Sequence, residues 1–319
     1  MEEKSKKKGK HKVLKIIGIV ILVLILGIFI KNKIVEISPW LKDDYYKDFK
    51  SDSKLEKKYS GIGEYEVSES VYKVDGKVKN IRVWYPSELE KSDKLYPLIL
   101  NVNASNTRAR NLGASYKRLA SWGFIVVGND DPQTGNGESA EKTIDYILNK
   151  WGLKDKIDKD NMGIIGYSQG GAGALRVVSM LDSGKYFKVV FTGSAAYSSL
   201  SKNMGWEYDM TKVNIPYFMT GGTGESDDRN VEDTTNEFGG VAPLSSLKEN
   251  YSKMSDEVFK IRARVSGAEH QDMLHRTDGY MTAWMLYHLQ NDEEAGKVFI
   301  GDDAEILTNN NWQDIEKNQ

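Results

Sequence analysis

The chain contains no cysteine. That single absence excludes disulfides, thiolate zinc sites and a cysteine nucleophile together. It leaves a chain that can live outside the cell without oxidative pairing. Strong net charge is also missing: Lys+Arg 44 against Asp+Glu 46 leaves a formal charge of -2, so nothing global points to nucleic acid as a partner. Histidine is scarce, with 4 in 319 residues, which narrows the choice of any general base. There is no internal repeat and no low-complexity tract beyond one lysine cluster. No linker-like break interrupts residues 62 to 300, so one domain accounts for that region.

What is present begins with charge and hydropathy at the N-terminus. Residues 1–12, MEEKSKKKGKHK, form a basic tail. The stretch from Ile16 to Ile30 carries no charge, and with Val13 and Leu14 it approaches the roughly 18 to 20 residues a bilayer requires. Lys15 sits near one end, where its long stem can snorkel to the headgroups. A cleaved signal peptide would need a small-x-small site after the apolar run, and IFIKNKIVEISPW offers none. Residues 13–30 are therefore expected to be an uncleaved signal-anchor. Lysines before the span outnumber Lys31 and Lys33 after it, so the N-terminus should be cytoplasmic and everything beyond about residue 33 extracellular. Residues 31–61 are charged and poor in aliphatic side chains, and read as a juxtamembrane linker.

From residue 62 the texture changes. YEVSESVYKV and IRVWYP alternate and are rich in β-branched and aromatic residues, with a DG turn at Asp75-Gly76 between them. PLILNVNA and GFIVVGND are continuous apolar runs of the kind buried on both faces of a sheet. SAEKTIDYILNKW is an amphipathic helix with Ser139 placed to cap it. MGIIG, KVVFTGSA, IPYFMTGG and FKIRARVSG supply further strands, and GYMTAWMLYHLQ the last helix. Strands alternating with helices predict an α/β domain over 62–319, built on a mainly parallel, doubly wound sheet.

Gly166-Tyr167-Ser168-Gln169-Gly170 is G-x-S-x-G between a buried strand and a helix. In that setting the serine sits on a strained turn with its hydroxyl raised above the sheet edge, and the glycines allow strand and helix to approach closely. The backbone N–H of Gln169 then faces the reacting centre. A serine nucleophile needs a base, and the base needs an orienting carboxylate. Downstream histidines are His270, His275 and His288. His270 follows the final predicted strand in a polar loop and is the expected base. His275 is the reserve, and His288 lies inside the last helix, where it packs. The acid should follow IPYFMTGG, where Asp227, Asp228 and Glu225 are all candidates, taken in that order. A second oxyanion donor should come from NASNTRAR, with the N–H of Ser105 first and Ala104 next. The acid loop also admits a bland reading as solvated carboxylates or a loose calcium site.

The stretches LILNVNAS, YKRLASWGFIVVGNDD, DKDNMGIIGYSQGGAGAL, NIPYFMTGG and SGAEHQDM, in that order, resemble the cutinase-like polyester hydrolases and bacterial lipases of the α/β-hydrolase superfamily. The resemblance spans roughly residues 62 to 300. It implies a serine hydrolase of carboxylic esters, with Ser168 as nucleophile, His270 as base and the Asp227 region as acid; the membrane anchor and extracellular placement come from the N-terminal residues instead and depart from those secreted enzymes. It further implies that Tyr197 occupies the place of an aromatic residue beside the substrate. No cofactor and no metal enter that chemistry. The partners expected are a small-molecule, lipid or polymeric ester and, through residues 13–30, the membrane. A peptidase or acyltransferase on the same triad, and a non-catalytic surface module, remain alternatives.

Overall fold

The apolar runs in the middle of the chain become the middle of a sheet. A computed structural model describes Gly27 and residues 38–231, 234 and 237–319. The basic tail 1–12, the span 13–30 and the first part of the linker lie outside the described residues apart from Gly27. Among the described residues no helix is long and apolar enough to cross a membrane.

Nine strands form one sheet: β1 (Val67–Lys73), β2 (Asn80–Pro86), β3 (Tyr96–Val102), β4 (Ile125–Asn129), β5 (Ile157–Tyr167), β6 (Val189–Gly193), β7 (Tyr217–Gly222), β8 (Lys260–Val265) and β9 (Trp312–Lys317). Their spatial order is β1-β2-β4-β3-β5-β6-β7-β8-β9. β3 to β8 run parallel, while β1, β2 and β9 are antiparallel to their neighbours. This mixed, mostly parallel sheet is consistent with an α/β-hydrolase.

Period-two alternation explains why the central strands are apolar throughout. Leu98, Leu100, Ile164, Val190 and Met219 join one core cluster; Ile99, Ile165, Phe191 and Phe218 join the other. Helices cover both faces. They are α1 (Lys54–Ser60), α2 (Gly113–Ala120), α3 (Glu138–Lys150), α4 (Gln169–Met180), α5 (Ser198–Asn203), α6 (Leu244–Lys253), α7 (Met273–Arg276) and α8 (Asp278–Gln290). α3 and α4 contribute Ile144, Ile147, Leu175 and Val177 to the first cluster, and α2 and α8 contribute Tyr116, Leu119, Met281 and Trp284 to the second. Each such aliphatic side chain adds about 1.5–3 kcal/mol when fully buried.

Two local expectations differ from the structure, and one strand has no counterpart among them. Residues 41–61, expected to be linker, belong to the same compact unit as the sheet, 41–319. Composition hides this because the charges are paired inside. Glu56 is fully buried and accepts from Trp312 Nε1 (2.6 Å), Asn309 Nδ2 (2.9 Å) and Asn311 Nδ2 (2.7 Å). Arg118, also buried, donates to Tyr59 O (2.9 Å) and the Tyr45 hydroxyl (3.0 Å), and pairs with Asp278 at 3.1 Å. Ser139 is not the cap of α3. That position falls to Gly137, and the Ser139 hydroxyl turns inward to the buried Asp131. Finally, WQDIEK forms β9, which has no apolar run because it is an edge strand. Cross-strand pairs hold it, Arg262 Nε to Glu316 (2.7 Å) and Arg264 Nε to Asp314 (2.8 Å).

Candidate active site

Parallel strands put the loops that follow β5, β7 and β8 on the same edge of the sheet, and those loops carry Ser168, Asp227 and His270. Ser168 directly follows β5 with φ 56° and ψ -124°, in the left-handed region that a side chain ordinarily avoids. Such a backbone costs about 1–3 kcal/mol and persists only where its surroundings hold it. Here Ser168 N–H donates to Gly193 O (3.0 Å), and its carbonyl accepts from Gly171, Ala172 and Ala196 (3.0, 3.3 and 3.2 Å). The glycines are required by proximity. A Cβ on Gly166 would stand 2.2 Å from Gly170 O, and one on Gly170 would stand 2.1 Å from Val102 O and 2.4 Å from Asn103 O. The serine is half-buried, and its hydroxyl makes no hydrogen bond to another described residue. Gln169 and Gly170 open α4, so their N–H groups have no acceptor within the helix.

Of the three carboxylates left open by the sequence, Asp227 is the one that meets the His270 ring. Its Oδ1 lies 2.6 Å from His270 Nδ1. The same carboxylate is fully buried, and its Oδ2 accepts from Gly222 N–H (2.7 Å) and from the Ser194 hydroxyl. With Oδ2 taken by two donors, Oδ1 is left to accept from Nδ1–H, the tautomer in which Nε2 keeps a lone pair. Asp228 points elsewhere, into a buried pair with Arg264, and accepts from Asn230 N–H (2.8 Å). Glu225 is exposed. His275 lies on α7, and His288 lies on α8 with its ring 4.2 Å from that of Trp284. Burial, with repulsion from Lys188 second, pushes His288 down to about 3.

The loop after β3 abuts the serine turn, as the Gly170 contacts require. Asn103 anchors it by donating to Asn129 O and Asp131 O (both 2.8 Å), while its carbonyl accepts from the Thr134 hydroxyl (2.6 Å). Ser105 is exposed and Ala104 half-buried, and Thr107 N–H closes the turn on Ala104 O at 3.1 Å. Tyr197 caps α5 and is buried, its ring centroid 6.5 Å from that of Phe238. Phe238 is the exposed aromatic of the pair, with the Arg229 guanidinium 5.0 Å over its ring. Sequence reasoning missed Asn103, Ser194 and Phe238. Two of them immediately follow apolar strands, which is the signal that could have found them. Among the described residues no group of three or more His, Asp or Glu side chains could hold a metal ion.

A serine on a strained strand-to-helix turn, with a buried aspartate bonded to a histidine on later loops of the same sheet edge, is consistent with an α/β-hydrolase. No family model matches the chain. It is similar to Cutinase 1 and Cutinase 2 of Thermobifida cellulosilytica, at 21% and 22% identity over 187 residues. That match takes in 55% of this chain and 62% of each cutinase. A cutinase of Thermobifida fusca (strain YX) is 21% identical over the same length, with 54% of it covered. The chain thus spans little more than half the length of the cutinases it matches.

Proposed function

We propose that the chain is a serine hydrolase of carboxylic esters. His270 Nε2 takes the Ser168 proton as Ser168 Oγ attacks the ester carbonyl. The N–H groups of Gln169 and Ser105 receive the developing oxyanion, and His270 returns the proton to the departing alcohol. Water, deprotonated by the same nitrogen, then attacks the acyl-enzyme, releasing the carboxylic acid and restoring the serine hydroxyl. Asp227 holds the imidazole in the required tautomer and stabilises the imidazolium. The observation that carries this reading is the 2.6 Å Asp227–His270 pair on the sheet edge that also presents the strained Ser168. Similarity to cutinases supports an ester as substrate. Tyr197 and the neighbouring Phe238 would line the acyl side.

The test is labelling by a fluorophosphonate probe, with Ser168→Ala as control. Labelling of the wild type that disappears in the variant is expected, together with hydrolysis of short p-nitrophenyl esters. A folded wild type that does not label refutes an assembled triad. Residues 13–30 would anchor the enzyme with the domain outside the cell. Alkaline carbonate extraction and protease treatment of intact cells test that placement; release by carbonate, or protection of the domain, refutes it.

A further inference from the structure

We propose that Glu269 is a positioning residue for His270, acting through the Ser226 hydroxyl to hold the base loop against the acid loop. This rests on the reading of Ser168, His270 and Asp227 given above and deepens it. Glu269 immediately precedes the histidine, yet its carboxylate turns to the other loop. It accepts the Ser226 N–H at 3.1 Å and the Ser226 hydroxyl, and that same hydroxyl oxygen accepts the His270 backbone N–H at 2.8 Å. A hydroxyl has one proton to give and lone pairs to receive, so committing its proton to Glu269 fixes the lone pair on which the His270 amide rests. The Ser226 hydrogen bonds hold the Glu269 carboxyl below the usual carboxylate range, so the acceptor is ionised at neutral pH.

Two more bonds extend the seam between the loops. Gly224 N–H donates to Ala268 O (2.9 Å), and Gly267 N–H donates to the Thr223 hydroxyl (2.8 Å). Ser226 is also the residue before Asp227. One tie therefore fixes the backbone of both partners in the 2.6 Å Asp227–His270 contact. Glu269 is half-buried, and Glu269 N–H is held by Asp272 Oδ2 at 3.0 Å, so its backbone is set independently of the bond its side chain makes. Orientation of a general base is worth large factors in rate, and a misplacement of about 1 Å costs on the order of 10²-fold.

The experiment compares Glu269→Ala, Glu269→Gln, Ser226→Ala and the double alanine variant in the full chain. Turnover of a p-nitrophenyl ester is expressed per site titrated by fluorophosphonate. Amide hydrogen exchange at His270 is measured by NMR alongside. Glu269→Ala should lower kcat about 10²-fold with KM unchanged, and speed exchange at His270 about tenfold or more. Glu269→Gln keeps an acceptor oxygen for Ser226 and should restore most of both. Ser226→Ala, which also removes the acceptor of His270 N–H, should lower kcat at least as far as Glu269→Ala, and the double variant should fall well short of the product of the two losses, because both remove the Ser226 hydroxyl–Glu269 bond. Unchanged kcat per labelled site in Glu269→Ala overturns the proposal, as does unchanged exchange at His270. A fall in Glu269→Gln as deep as in Glu269→Ala also overturns it, in favour of charge alone. If the wild type neither labels nor turns over, the esterase reading fails, and the exchange comparison still decides whether Glu269 holds the histidine loop.

Discussion

Replacing Gly170 by alanine tests the contact on which the serine turn is built. The new Cβ would lie 2.1 Å from Val102 O and 2.4 Å from Asn103 O, whereas ordinary van der Waals contact begins at 3.4 Å. Helix α4 and the end of β3 must then separate by 3.4 minus 2.1, or about 1.3 Å. Neither side yields easily. Val102 is in the centre of the sheet, and the Asn103 side chain is held by two hydrogen bonds of 2.8 Å. Overpacking of this kind costs about 1–3 kcal/mol in stability, and backbone contact puts Gly170→Ala at the upper end. At about 2 °C per kcal/mol for a domain of this size, Tm should fall by roughly 4–6 °C. The catalytic effect should be larger. The same displacement moves the loop after β3, with Ala104 and Ser105, away from the Gln169 N–H, and about 1 Å of misplacement is worth on the order of 10²-fold in rate. Thermal unfolding by circular dichroism and ester hydrolysis per labelled site measure the two effects separately. Gly152→Ala, where nothing lies within 4 Å of an added Cβ, is the neutral control. A Gly170→Ala enzyme with wild-type Tm and wild-type rate would refute the close approach of elbow and loop.

Three further outcomes are expected. Asp227→Asn should lower kcat by about 10³–10⁴-fold through the wrong histidine tautomer. Asp228→Asn should instead leave the rate per labelled site within severalfold and cost about 1–3 kcal/mol of stability, as read by urea unfolding, because Arg264 loses one carboxylate and keeps Asp314. For His288, the folded value of about 3 lies below the unfolded 6.5, so the unfolded chain binds the extra proton and stability is lost as pH falls below 6.5. Between pH 7.5 and about pH 5 that loss should approach 2 kcal/mol, and His288→Leu should remove it from the urea midpoint series. An unchanged pH slope in His288→Leu would rule the histidine out as its source.

Local pattern carried the sheet. Each of PLILNVNA, GFIVVGND, MGIIG and KVVFTGSA reads as a doubly buried strand because its neighbours on both sides are apolar, and such runs need no knowledge of partners. Edge strand β9 escaped notice for the opposite reason. Trp312 is buried, but Asp314 and Glu316 are stabilised by arginines on β8 that no local window contains. The segment 41–61 was misread for the same cause. Glu56 looks like a surface charge until Asn309, Asn311 and Trp312, some 250 positions away, are brought around its carboxylate.

At the site the division is sharper. The G-x-S-x-G spacing marked where a strand turns into a helix at Ser168, but only half of its crowding is local: a Cβ on Gly166 meets Gly170 O within the motif, whereas one on Gly170 meets Val102 O and Asn103 O at the end of β3. Scarcity of histidine, with three of the four beyond Ser168, reduced the possible bases to three. Which carboxylate faces His270 was decided only by tertiary structure. Asp227 and Asp228 are adjacent and chemically equivalent, but a loop backbone sends their side chains apart. Gly222 and Ser194 collect one at the ends of β7 and β6, while Arg264 on β8 collects the other. Donors drawn from three strands set that outcome, and no property of the loop sequence encodes them.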